Sequence, residues 1–74
     1  MREYLIQART KAGLTQAQAA KKLLISQIYL SDIETGKRQK DLKLNVLKGC
    51  AKTYGIPLDA LIQGESEYQE RKVR

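Results

Sequence analysis

The chain has 74 residues, 42% of them apolar, and contains no Trp, no Phe and no His. That supports one small core and excludes a second one. No apolar run exceeds three residues, which excludes a transmembrane helix, and nothing after Met1-Arg2-Glu3-Tyr4 reads as a signal peptide.

Cys50 is the single cysteine, so an internal disulfide is ruled out. Without histidine the usual zinc ligand sets and the commonest general base are both missing. The chain is therefore not expected to be an enzyme, and no catalytic residue, metal, cofactor or small-molecule ligand is evident. Cysteine usage points to a reducing, cytoplasmic compartment. Fourteen Lys and Arg against eight Asp and Glu give a net charge of +6, and Glu65 to Arg74 contributes none of it. Lys37-Arg38-Gln39-Lys40-Asp41-Leu42-Lys43 concentrates four bases against one acid. Such a run suits a phosphate backbone or an acidic membrane surface, and equally a solvated loop.

Capping residues and glycines divide the chain. Met1 to Ala12 reads as a first helix, with Leu5, Ala8 and Ala12 on one face and Gly13 at its end. Thr15 and Gln18 form a capping-box pattern opening a second helix that runs to about Leu23, with Ala19, Ala20 and Leu23 inward. Leu24-Ile25 is a short connection. Ser26 caps a third helix, Gln27 to Thr35, which Gly36 ends. Leu30 and Ile33 point inward, and Gln27, Ile28, Ser31, Asp32 and Thr35 fall on the opposite arc. Asp41 or Lys43 precedes a fourth helix ending near Tyr54, with Leu44, Leu47, Ala51 and Tyr54 as its stripe. Gly49 inside it costs about 1 kcal/mol relative to alanine and suggests a close helix crossing. Gly55 stops that helix, and Pro57 introduces a short fifth one, Leu58 to Ile62. Residues 1–64 are expected to form the domain and 65–74 a polar tail, either frayed or extending the helix for pairing. No stretch alternates as a strand would. The expected fold class is all-α.

Two short helices joined by a tight turn, Gln16 to Leu23 and Gln27 to Thr35, are the helix-turn-helix arrangement. The chain from about Leu5 to Ile62 resembles the lambda-repressor-like, or Cro/C1-type (XRE family), DNA-binding domain. The resemblance rests on Gly13-Leu14-Thr15-Gln16, Ala19-Ala20-Lys21-Lys22-Leu23, Ile25-Ser26-Gln27 and Leu30-Ser31-Asp32-Ile33-Glu34-Thr35-Gly36. It implies a compact five-helix fold and a set of roles. Gln27, Ile28, Ser31 and Asp32 sit where the family reads bases. Gln16 matches its phosphate-contacting glutamine, and Tyr29 lies at the edge of the same face. Arg9 and Glu34 match a pair that in many members forms a structural salt bridge. Lys37, Arg38, Lys40 and Lys43 are the remaining candidates for phosphate contact. Two departures stand out: Leu24 occupies a turn position usually held by glycine, and the span from Gly36 to Gly55 is longer than the commonest pattern.

The implied function is a sequence-specific transcriptional regulator, a repressor of bacterial or phage origin, placing its third helix in the major groove. One such helix reads few base pairs, so a homodimer on palindromic double-stranded DNA is expected. Ile28 has no packing reason to face outward, and a thymine methyl would supply one; a singly exposed apolar residue is the plain alternative. Asp32 would accept from cytosine N4 or hold a neighbouring side chain. The alternative function is an antitoxin-like or other protein-interaction module on the same scaffold, with Ile28 and Asp32 as its support.

Overall fold

The computed structural model describes residues 1–37 and 42–73, with only the backbone at 72 and 73. Among the described residues the chain forms five helices and no strand: α1 (Glu3–Lys11), α2 (Gln16–Leu23), α3 (Gln27–Thr35), α4 (Leu44–Tyr54) and α5 (Leu58–Val73).

Local sequence sets most of the boundaries. At the start of α2 the Thr15 hydroxyl accepts from the Gln18 N–H at 3.1 Å, while the Gln18 side chain accepts from the Thr15 N–H at 3.0 Å. This reciprocal box satisfies two donors that a helix start otherwise leaves unpaired. Ser26 caps α3 by accepting from the Tyr29 N–H at 3.0 Å. Lys43 occupies the same position before α4 and supplies no side-chain bond.

The ends of α1, α2 and α3 share one geometry. A left-handed residue lets two amides turn back onto the last helical carbonyls. The pairs are Leu14 to Arg9 and Gly13 to Thr10, Ile25 to Ala20 and Leu24 to Lys21, and Lys37 to Asp32 and Gly36 to Ile33, all 3.0–3.3 Å. Gly13 and Gly36 adopt this conformation without strain. Leu24, at φ 60° and ψ 39°, is the one non-glycine residue with positive φ among those described. The turn therefore keeps its shape, at a cost of about 1–2 kcal/mol for the leucine.

The core joins Leu5 and Ala8 of α1, Ala19 and Ala20 of α2, Leu30 and Ile33 of α3, Leu47, Cys50, Ala51 and Tyr54 of α4, and Leu61 of α5. The two adjacent alanines of α2 are buried, and α2 packs on α3 and α4. Burial pushes the Cys50 thiol up to about 11, which suits a core residue and not a nucleophile.

Four expectations are corrected. Ala12, expected on the inward face of the first helix, is exposed just past the end of α1. Leu44 is 51% exposed, and Cys50 takes the place it was given in the buried stripe of α4. Gly49 does not enforce a close crossing: a β-carbon there would sit 3.5 Å from Leu23, an ordinary contact. The fifth helix does not stop at Ile62 but continues to Val73, burying Leu61, Glu65 and Tyr68 along one face. Gly64 lies on that helix because the Tyr4 ring of α1 occupies the space a side chain would need, 2.6 Å from an added β-carbon. Residues 65–71 thus pack on the domain as part of α5.

Candidate nucleic-acid interface

The third helix has two contrasting sides. Leu30, Ile33 and Glu34 are buried. On the opposite arc Gln27 is exposed, Ile28 is 72% exposed, and Ser31 and Asp32 are half-buried. Tyr29 is half-buried against the core, and Thr35 turns its hydroxyl back onto the Ser31 carbonyl at 2.9 Å. The four base-reading candidates therefore form one surface whose reverse side is fixed.

Two networks do the fixing. In the first, Glu34 is 1% exposed and faces Arg9, with Nε to Oε2 at 2.7 Å and Nη2 to Oε1 at 3.3 Å. Arg9 also donates to the Leu14 carbonyl at 3.0 Å. The Gln16 side chain donates to Glu34 Oε1 at 2.9 Å. One carboxylate thus joins α1, the first residue of α2 and the last turn of α3. The bond leaves Gln16 an amide oxygen and a second N–H, beside the unpaired backbone N–H groups of the α2 start, a setting suited to an anion.

The second network escaped the sequence reading. Arg2 is 0% exposed and pairs with Glu65 of α5, Nε to Oε1 at 2.8 Å and Nη2 to Oε2 at 3.2 Å. Tyr4 donates to the same carboxylate at 2.6 Å, and Gln69 at 2.8 Å. Burial by itself raises the Glu65 carboxyl, but bonds from Arg2, Tyr4 and Gln69 and the arginine charge outweigh it and hold it at about 2. Burial and then the neighbouring Glu65 push the Tyr4 phenol far upward. The signal available in the sequence was the spacing of Leu61, Glu65 and Tyr68 along one helical face.

Of the basic candidates, Lys37 and Lys43 are exposed, the first just past the end of α3 and the second at the start of α4. Arg38 and Lys40 lie outside the described residues, as does Asp41. Among the described residues no group of His, Cys, Asp and Glu could hold a metal ion, and no helix is long and apolar enough to cross a membrane.

Comparison with curated proteins and with solved structures gives no match. A family model for the helix-turn-helix matches residues 5–61, most of the chain. The chain belongs to the Cro/C1-type helix-turn-helix family, the XRE family of DNA-binding regulatory domains.

Proposed function

We propose that the chain is a sequence-specific transcriptional repressor that inserts α3 into the major groove and acts as a homodimer on a palindromic operator, in the cytoplasm of a bacterium or a phage-infected cell. The observation that carries this reading is Ile28, an isoleucine 72% exposed in the middle of the outer arc of a helix whose reverse side is buried. Placed beside Gln27, it offers a methyl contact to thymine next to a side chain able to donate to and accept from adenine. Ser31 and Asp32 extend the surface one turn on, Asp32 either accepting from cytosine N4 or ordering a neighbour.

Phosphate contacts fall to Gln16, Tyr29, Lys37 and Lys43, and to Arg38 and Lys40 of the same basic run. They supply affinity without sequence information. Half-sites about one helical turn apart would match a twofold dimer, with α4 and α5 as its surface.

The test is selection from random duplex DNA with the parent and two variants. Gln27→Ala changes the preferred sequence. Lys37→Ala weakens binding to every duplex and lowers the salt slope by about one. An unchanged preference for Gln27→Ala overturns the base-reading assignment, and sedimentation as a monomer both free and on DNA overturns the dimer.

A second reading, a protein-interaction module, draws on Leu24, 91% exposed in the turn between α2 and α3. Co-purification with the product of a neighbouring gene, without DNA affinity, would favour it.

A further inference from the structure

Arg2 does more than neutralise Glu65. Its Nη1 donates to the Ile33 carbonyl at 2.7 Å, and its backbone N–H donates to the Glu34 carbonyl at 2.7 Å. Those carbonyls belong to the last turn of α3, where a helix runs out of partners and where positive charge is favoured. Arg2 is thus a C-cap of the recognition helix brought from the far end of another segment. Glu65 holds it there and also accepts from the Leu42 N–H at 3.2 Å, two residues before α4 begins. Tyr68 completes the arrangement: the guanidinium lies 4.7 Å from its ring centroid, and its hydroxyl fills the space a β-carbon on Gly36 would need. The end of α3 and the approach to α4 are therefore both fastened to α5. Arg2, Tyr4, Glu65, Tyr68 and Gln69 all lie outside the residues matched by the family model. The fastening is supplied by this chain's own flanks.

We infer that Arg2 and Glu65 are positioning residues of the DNA interface, setting the orientation of α3 and the approach to α4 so that Gln27 and Ile28 meet base edges in register. The inference rests on the DNA-binding reading of α3. A buried ion pair is often no more stabilising than well-packed apolar side chains of similar volume, so fixed geometry is what it adds here. Base readout depends on that geometry, whereas non-specific attraction to phosphates depends mainly on charge.

The double variant Arg2→Met/Glu65→Leu separates geometry from stability, because it removes both charges together and fills the space. Affinity is measured for the selected duplex and a scrambled one, well below the melting transition of both proteins, and exchange of the Leu42 amide is followed by NMR. The expected result is a melting temperature close to the parent's, scrambled-duplex affinity unchanged, and discrimination reduced roughly tenfold, the size of one misread base pair. The Leu42 amide exchanges faster. A folded double variant that discriminates as well as the parent overturns the inference. A parent that binds no duplex overturns the DNA reading instead, and parent-like Leu42 exchange in the variant rejects the fastening independently of DNA. If the double variant does not fold, Arg2→Lys keeps a positive charge beside Glu65 but loses the fork that binds Glu65 and the Ile33 carbonyl together; it is expected to lose about threefold in discrimination, and parent-like discrimination then overturns the inference.

Discussion

Glu34 and Glu65 are both buried carboxylates, each paired with an arginine below 3 Å, and both networks end on α3. They differ in what they fasten and in how visible they are. Glu34 lies on α3 itself, inside the span shared with the family, and gathers α1 and the first residue of α2. Glu65 lies outside that span and reaches α3 only through Arg2. The side of α3 is thus held from within the matched span, and its end by residues outside it.

The comparison sharpens when each pair is broken. Glu65→Leu is expected to have the largest effect, about 4–5 kcal/mol lost in urea denaturation, because it leaves a fully buried guanidinium without its counter-charge. Arg9→Ala should cost somewhat less, about 3 kcal/mol by the same measurement, since Gln16 still donates to Glu34 and the Arg9 site is partly open to water. A reversed order would show that the α5 fastening is the weaker of the two, and equal losses would remove the contrast.

Acid separates the networks further. The Glu65 carboxyl is held at about 2 in the fold, below its value of about 4.3 in an unfolded chain. Its contribution, on the order of 3 kcal/mol, is fully present above about pH 5 and is lost as pH falls towards 2. Arg2→Met/Glu65→Leu should lack that part of the acid destabilisation, as read by denaturation midpoints from pH 6 to about 2.

Two smaller changes touch neither carboxylate and serve as controls. Leu24→Gly relieves the left-handed leucine and should stabilise by about 1 kcal/mol after the entropic cost of glycine. Gly49→Ala should add about 0.5–1 kcal/mol, since its β-carbon meets only ordinary contact with Leu23. Thermal melting checks both, and in each the contrast between the two acid pairs should persist.

What the sequence revealed follows from the range of the interactions involved. The Thr15–Gln18 box, the Ser26 cap and the terminal glycines act across three or four residues, so the limits of α2 and α3 could be read directly. The stripe of α4 was misread at one position, because Leu44 and Cys50 both fit a helical period beside Leu47, Ala51 and Tyr54. The length of α5 was left open between a frayed tail and a helical extension, because its buried face carries a glutamate in its middle and a glycine beside it; the extension is what forms. Helical spacing could have placed Glu65 on the buried face of α5 beside Leu61 and Tyr68, but nothing pointed to Arg2 as its partner, since a pair 63 positions apart leaves no local trace. The outward arc of α3 was legible by period. The roles expected of its side chains came from family resemblance.

The separation of Arg2 from Glu65 also orders events during synthesis. A nascent chain can close the short-range links of α1, α2 and α3 as they leave the ribosome. The link from residue 2 must wait until more than sixty further residues have followed, and it closes a loop of 63 positions. The helix-turn-helix would therefore exist briefly without the Arg2 bond to the last turn of α3, which forms only after α5 has emerged.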